Sequence, residues 1–214
     1  MRKKTFKTSM ALILSFVIAA AALFGIPAPK SEAASHPFLI VNASEFEELR
    51  SRASEEPWAT FKRTAISDAK TLTFNKAAGY GDRCTSMREI LEACSLAYIL
   101  DPDNKDLYID KILDVLNYWK SDVEGNIFKE LDSTNWTYAI PPSGAFFSSV
   151  LALDIIYPDL TPEEIANAEA ILQTVADWYW AYDFSWATAL WGVRGIWAIY
   201  KNDTDKIDTT ISNY

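Results

Sequence analysis

The chain has 214 residues, of which half are hydrophobic and 14% are aromatic, a composition that excludes a disordered chain. With 29 acidic residues against 20 basic ones, it lacks the basic balance of a nucleic-acid-binding protein, so we expect no nucleic-acid partner. Seven glycines are few for this length and disfavour a turn-rich all-β fold.

The N-terminal 33 residues have the layout of a secretory signal peptide. Basic residues at positions 2–4 and 7 precede an apolar run over 10–26, and Ser31-Glu32-Ala33 follows. We predict cleavage after Ala33, which makes the protein extracellular or periplasmic. The alternative is an uncleaved membrane anchor, since the apolar run lies at the short limit for a bilayer span.

Cleavage would leave one predicted domain, residues 34–214, with 15 basic and 28 acidic groups and a net charge of −13. A polyanionic ligand would then need a local basic pocket, because the field of the whole protein repels it. We expect no later stretch to be long and apolar enough to cross a bilayer, and therefore no membrane partner after cleavage. The end of the chain, soon after a helix start and without a C-cap signal, leads us to expect missing C-terminal domains; a short natural terminus is the alternative.

Apolar residues recur at helical spacing through most of this domain, and no segment shows sustained strand-like alternation. Three of the predicted apolar faces consist of Met87, Ile90, Leu91, Cys94, Ala97 and Tyr98, of Leu107, Ile109, Ile112, Leu113, Leu116 and Trp119, and of Trp186, Ala189, Leu190, Val193, Trp197 and Tyr200. Ser44 with Glu47, and Thr161 with Glu164, are predicted capping boxes that each start a helix. Residues 121–137 are predicted to be irregular. The fold class is therefore all-α, with helices expected in chain order near 44–53, 56–70, 87–98, 107–119, 143–157, 162–179, 186–200 and from 204.

Cys84 and Cys94 are the only cysteines. If one helix holds both, ten residues separate them by about 15 Å, which is too far for a disulfide. We predict two free or buried thiols. A disulfide is the alternative if the helix starts after Cys84.

Most signatures of catalytic chemistry are absent from the sequence. His36 is the single histidine, and there is no Gly-x-Ser-x-Gly elbow, no His/Cys zinc set and no glycine-rich phosphate loop. Residues 101–106 superficially resemble a calcium loop, but Lys105 stands at a ligand position, so we predict an inter-helix turn. We expect no metal and no cofactor.

Aromatic residues cluster in two places. Residues 178–200 contain nine of them, more than one helix face can bury, and Trp180 falls near a helix junction where its ring can face a cleft. Asn135 and Trp136 lie in a predicted loop before a helix. Flat indole faces cover the apolar C–H surface of sugars, so we predict a glycan-binding cleft; ordinary packing between helices is the alternative for each ring.

Trp186 and Trp197 both fit a core stripe of the helix near 186–200. We expect packing to consume the ring of Trp197, whereas the loop position of Trp136 leaves its ring available to a ligand.

His36-Pro37-Phe38-Leu39, followed by the short helix at Ser44 and by Pro57-Trp58, forms a distinctive opening. The segment 151–157 leads into a second motif, Leu160-Thr161-Pro162-Glu163-Glu164. In these segments, and in Asn135-Trp136, the chain resembles heparinase II/III-like and alginate-lyase-like polysaccharide lyases over residues 36–203. The resemblance implies an incomplete (α/α) toroid of antiparallel helical hairpins, followed in the family by β-sandwich domains.

The resemblance also implies a reaction, β-elimination at a uronic acid of a polysaccharide substrate. A base removes the proton α to the carboxylate, donors neutralise the enolate-like charge, and an acid protonates the leaving oxygen. The Phe184–Gly192 segment lacks the Asn and His of the family, so Tyr138 and Tyr182 are our candidates for catalysis. The candidates for substrate binding are Asn135, Trp136, Trp180, Trp186 and Arg194.

Arg194 on the Trp-rich helix can pair with a uronate carboxylate through two parallel hydrogen bonds, although a salt bridge to Asp183 is the alternative. Two other functions stay open. One is a glycan-binding module without catalysis. The other is an α/α-barrel glycoside hydrolase, which needs two carboxyls about 5–10 Å apart and has Asp132, Asp154, Asp177 and Asp183 to choose from.

Overall fold

A computed structural model describes residues 35–125, 140–181 and 187–213. Most of these residues are helical and none of them lies in a strand, which confirms the all-α class. The α-helices of the described ranges are α1 Phe46–Arg52, α2 Trp58–Thr71, α3 Tyr80–Leu100, α4 Lys105–Gly125, α5 Ile140–Ile156, α6 Pro162–Ala181, α7 Ala187–Tyr200 and α8 Thr204–Asn213.

The start of α6 confirms the predicted capping box at Thr161. The Glu164 carboxylate accepts hydrogen bonds from the Thr161 backbone N–H at 2.8 Å and from its hydroxyl at 2.7 Å. The Glu164 N–H donates in return to Thr161 Oγ1 at 3.3 Å. Pro162 is the first helical residue, where its missing N–H costs nothing.

The capping box predicted at Ser44 is wrong in register. Asn42 caps instead, and its N–H donates to Glu45 Oε2 at 2.8 Å. The reason is a single 3-10 turn, Ala43–Glu45, which precedes α1 and moves the start of helical structure two residues upstream. Sequence spacing alone cannot separate such a turn from the helix it leads into.

Helices α3 and α5 form the centre of the fold. α3 packs against α1, α2, α4 and α5, while α5 also packs against α4, α6 and α7. All six apolar residues predicted for the α3 face are buried: Met87, Ile90, Leu91, Cys94, Ala97 and Tyr98. Cys84 and Cys94 both lie on α3 as buried thiols that are not joined in a disulfide, which confirms that prediction, and burial raises the pKa of Cys94 to about 11.

Helix α4 departs from its prediction in two ways. Leu107 was expected on the apolar face but is 41% exposed, and Tyr108 and Val115 are buried in addition to the predicted Ile112, Leu116 and Trp119. The helix also runs on to Gly125, beyond the predicted irregular start at residue 121, whereas residues 126–139 lie outside the described ranges. The predicted turn before α4 is confirmed as the 3-10 turn Pro102–Asn104.

The apolar stripe of α7 is confirmed for Leu190, Val193, Trp197 and Tyr200, all of which are buried. Trp197 is 1% exposed, stacks on Tyr200 with ring centroids 5.1 Å apart, and donates its indole N–H to Gln173 Oε1 at 2.9 Å. Packing therefore consumes this ring, as predicted. Trp186, the first member of the predicted stripe, lies outside the described residues.

One segment corrects the expectation about membrane-length stretches. Ile140–Asp159, which is α5 with the turn that follows it, is long and apolar enough to cross a membrane by length and composition. Within the protein, however, 61% of the tested window is buried. Because α5 packs against other helices on several sides, it is apolar around most of its surface. A core helix of this kind passes the length and composition test for a membrane span.

The N-terminal lead is held by a buried carboxylate of α5. Asp154 is 1% exposed, and its Oδ2 accepts the backbone N–H of Phe38 at 3.0 Å and of Leu39 at 2.9 Å. Its Oδ1 lies 2.5 Å from His36 Nδ1. We call these four residues the N-terminal clamp. Because three donors converge on it, the buried Asp154 carboxylate is satisfied without solvent.

Two tyrosine rings pack against the His36 ring of the clamp. The His36 ring lies 4.3 Å from the Tyr157 ring and 4.5 Å from the Tyr200 ring, measured between centroids. Tyr157 begins the turn after α5, and Tyr200 ends α7. The lead therefore joins two helix ends that are more than forty residues apart in the chain.

We predict that Asp154→Ala lowers the free energy of unfolding by about 3–5 kcal/mol, because it leaves His36 and two partly buried backbone N–H groups without their acceptor. Urea denaturation measures the change. Asp114→Ala is the matched control, since that carboxylate is 56% exposed and forms an exposed ion pair with Lys76. The control should change stability by no more than about 0.5 kcal/mol. Equal losses in both variants would contradict an anchoring role for Asp154.

Candidate functional site

Two of the seven predicted site residues fall within the described ranges, and they lie together. Trp180 is in the last turn of α6, and Arg194 is in the middle of α7. The guanidinium carbon of Arg194 is 5.0 Å from the centroid of the Trp180 ring. The other five predicted residues lie outside the described residues: Tyr138, Tyr182, Asn135, Trp136 and Trp186.

Arg194 caps the C-terminal end of α6. Its Nε donates to the Tyr179 carbonyl at 2.9 Å, and its Nη2 reaches the Trp180 carbonyl at 3.5 Å. The last carbonyls of a helix have no partner within the helix and carry its negative dipole end, so a cation there is favourable. The side chain is only 5% exposed. Its hydrogen bonds join α7 to the end of α6.

Two indole rings enclose the guanidinium. Trp191 lies one helical turn before Arg194 on α7, and its ring centroid is 4.4 Å from the guanidinium carbon. Trp180 and Trp191 meet edge to face, with centroids 6.2 Å apart and an interplanar angle of 83°. Cation–π attraction helps to compensate for the burial of the charge. Arg194 therefore contacts both rings and holds them in position.

A second cation comes from α8. Lys206 Nζ lies 5.8 Å from the Trp180 ring centroid and 3.5 Å from Asp203 Oδ2, and the side chain is 40% exposed. Trp180 and Trp191 are each partly exposed. We call Trp180, Trp191, Arg194 and Lys206 the aromatic site.

Within the ranges that the structure describes, the indole N–H of Trp180 has no hydrogen-bond partner, although the nitrogen itself is buried. An unpaired donor of this kind is costly unless a ligand or a water molecule supplies the acceptor. The aromatic site thus combines partly exposed indole surface, a donor and an exposed ammonium group. These are the groups that recognise the C–H face, a hydroxyl and a carboxylate of an acidic sugar.

Sequence reasoning missed two members of this site. Trp191 could have been found, since it lies three residues before Arg194 and therefore on the same side of a helix. Lys206 had no local signal, because only the packing of α8 against α7 brings it to Trp180. The alternative salt bridge between Arg194 and Asp183 involves a residue outside the described ranges.

Four tyrosines of the described residues have raised pKa values, in each case chiefly because burial disfavours the phenolate: Tyr98, Tyr108, Tyr179 and Tyr200. The hydroxyls of Tyr98, Tyr108 and Tyr200 also donate to carboxylates, which holds the proton further. These four side chains are poor general bases. Within the described ranges, no group of three or more His, Cys, Asp or Glu side chains is placed to hold a metal ion.

Comparison with known proteins adds no relative: no protein-family model matches the sequence, and no curated protein matches it significantly.

We predict that Arg194→Lys lowers the free energy of unfolding by about 2 kcal/mol, because an ammonium group cannot reproduce the forked contacts to two carbonyls and two rings. Urea denaturation monitored by tryptophan fluorescence measures it. Arg52→Lys on α1 is the control, as that side chain is 68% exposed. If Arg194→Lys is as stable as the control, the capping role is wrong.

Proposed function

We propose that the chain is the N-terminal part of a secreted polysaccharide lyase that acts by β-elimination on a uronic-acid-containing polysaccharide. The observation that carries the proposal is the aromatic site. There, partly exposed indoles lie beside the exposed ammonium group of Lys206 and form a sugar-compatible surface on a strongly acidic protein. A polyanion needs such a surface because the net charge of the mature chain repels it.

The N-terminal clamp gives independent support. The resemblance to heparinase II/III-like and alginate-lyase-like lyases depends on the opening at His36–Leu39 and on the segment 151–157. Asp154 of the second segment binds His36, Phe38 and Leu39 of the first. Two segments that carry the resemblance and lie far apart in sequence thus contact each other, as expected if both belong to one structural unit.

The arrangement of the helices is compatible with a toroid. Helices that follow one another in the chain pack together in the pairs α2 with α3, α3 with α4, α6 with α7, and α7 with α8. This is the neighbour pattern of successive helical hairpins. We propose that these pairs are antiparallel and form the first part of an (α/α) toroid.

In the proposed mechanism, an exposed face of Trp180 or Trp191 covers a sugar ring, and Lys206 pairs with the uronate carboxylate. Pairing withdraws electron density from the carboxylate and stabilises the charge that develops when the α proton leaves. Tyr138 and Tyr182 are proposed as base and acid, since the buried tyrosines described above hold their protons too tightly. Arg194 is a positioning residue that fixes both indoles.

A glycan-binding module without catalysis is the second candidate. The aromatic site supports binding directly, whereas none of the four buried tyrosines can act as the base. The hydrolase alternative is weaker, because two of its candidate carboxylates already have hydrogen-bond partners. Asp154 binds His36 and two backbone N–H groups, and Asp177 accepts a hydrogen bond from Gln173 at 2.7 Å.

We predict that the protein converts polymers of uronic acid into unsaturated products that absorb in the ultraviolet. Tyr138→Phe and Tyr182→Phe should each lower the rate by about 100-fold or more, because each removes a proton-transfer group. Tyr118→Phe, a partly buried ring of α4 that packs edge to face on Phe74, is the control. New reducing ends without ultraviolet absorbance would indicate a hydrolase, and binding without either product would indicate the module.

We predict that Trp180→Ala weakens binding of uronic-acid oligosaccharides by about 1–2 kcal/mol, or roughly 5- to 30-fold, through loss of the stacking surface. Isothermal titration calorimetry on folded protein measures it. Trp178→Ala is the control, since two residues along α6 place that ring on the opposite side of the helix. Equal affinity in the two variants would remove Trp180 from the binding site.

A further inference from the structure

A separate face of the protein carries two adjoining concavities. A groove of about 530 Å³ lies between α1, α3 and α5, and a hollow of about 400 Å³ lies between α1, α2 and α3. Leu49, Arg52 and Leu96 line both of them and form the ridge where they meet. The walls of the groove are aliphatic, with no aromatic ring among its lining residues.

Two aromatic side chains project beside the hollow. Trp58 and Phe61 of α2 are 57% and 60% exposed, and their ring centroids are 5.9 Å apart. We call this pair the aromatic knob. Leu96 on the ridge is 43% exposed and Ile40 on the wall of the groove is 69% exposed, so exposed apolar side chains line both concavities. An apolar face of this kind is typical of an interaction surface.

The wall of the groove contains a polar group that lacks a partner. Ser95 is only 6% exposed and lines the groove, and its hydroxyl oxygen makes no hydrogen bond to any residue of the described part of the chain. A buried hydroxyl without a partner is costly, so an occupant that supplies a hydrogen bond would relieve that cost. The indole N–H of a tryptophan is a donor on an otherwise apolar ring, and such a ring suits aliphatic walls.

The charges around the two concavities differ in sign. Glu45, Glu48 and Glu92 line the groove, whereas Lys62 lines the hollow. Arg52 belongs to the ridge that both share and forms an exposed ion pair with Glu48 of the same helix. The face is therefore acidic at one end and basic at the other, and the projecting knob is at the basic end.

We propose that this face binds a second copy of the same chain, forming a two-fold symmetric dimer about the ridge. A two-fold axis there places the acidic groove of each copy opposite the basic hollow of its partner, so that each contact occurs twice. The aromatic knob of one copy enters the groove of the other, where the Trp58 indole N–H faces Ser95. Lys62 of each copy lies against Glu48 of the other.

Sedimentation equilibrium of the purified protein over a range of concentrations tests the proposal. We expect a monomer–dimer equilibrium, with dimer affinity reduced by about 100-fold in the double variant Trp58→Ser, Phe61→Ser. Ile211→Ser is the matched control, because Ile211 is 71% exposed on α8 and is not among the lining residues of either concavity. Circular dichroism establishes that each variant is folded.

A charge exchange tests the geometry of the dimer. Glu48→Lys and Lys62→Glu should each weaken the dimer by about 10-fold, and the chain that carries both should recover most of the affinity because the symmetric contact is restored with reversed sign. Monomer at every concentration overturns the proposal. So does a dimer that tolerates loss of the knob, one that Ile211→Ser weakens equally, or a double charge variant that is weaker than either single one.

Discussion

The buried carboxylate of Asp154 is the contact on which the described part of the fold depends. It projects from α5, the helix that packs against four others, and it binds a lead that precedes every described helix. An ionised group at this depth is stable only while several donors converge on it. These hydrogen bonds fix the lead in one register. The His36 ring of the lead also contacts Tyr157, just after α5, and Tyr200, at the end of α7, and so joins those two helix ends.

A similar device organises the aromatic site. Arg194 brings a charge to the end of α6, where carbonyl groups lack helical partners, and holds two indoles around it. In both places, one buried charged side chain forms hydrogen bonds to another element and so joins the two elements. The two contacts differ in what they position. The N-terminal clamp fixes the N-terminal lead, whereas Arg194 positions the partly exposed indoles that are suited to a sugar.

Helix positions were predictable because apolar spacing and capping residues act locally, as at Thr161 and along α3. The missed features arise from longer-range packing or from small local differences. The turn at Asn42 displaced a capping box, and Leu107 follows helical spacing although it is 41% exposed. Likewise, Trp180 and Arg194 were found from the sequence, whereas Lys206 reaches Trp180 only through the packing of α8 on α7. Five predicted site residues remain predictions, since they lie outside the described ranges.

The most direct test of the proposed function is a nuclear magnetic resonance titration of the eight tryptophan indole N–H signals with uronic-acid oligosaccharides. Because the Trp180 N–H has no partner among the described residues and Trp197 donates to Gln173, the two should respond differently. We predict that the Trp180 and Trp191 signals shift in a saturable way while those of Trp119 and Trp197 stay fixed. Saturable binding that leaves Trp180 and Trp191 unperturbed, or no binding of any uronic-acid oligosaccharide, would contradict the assignment of the aromatic site.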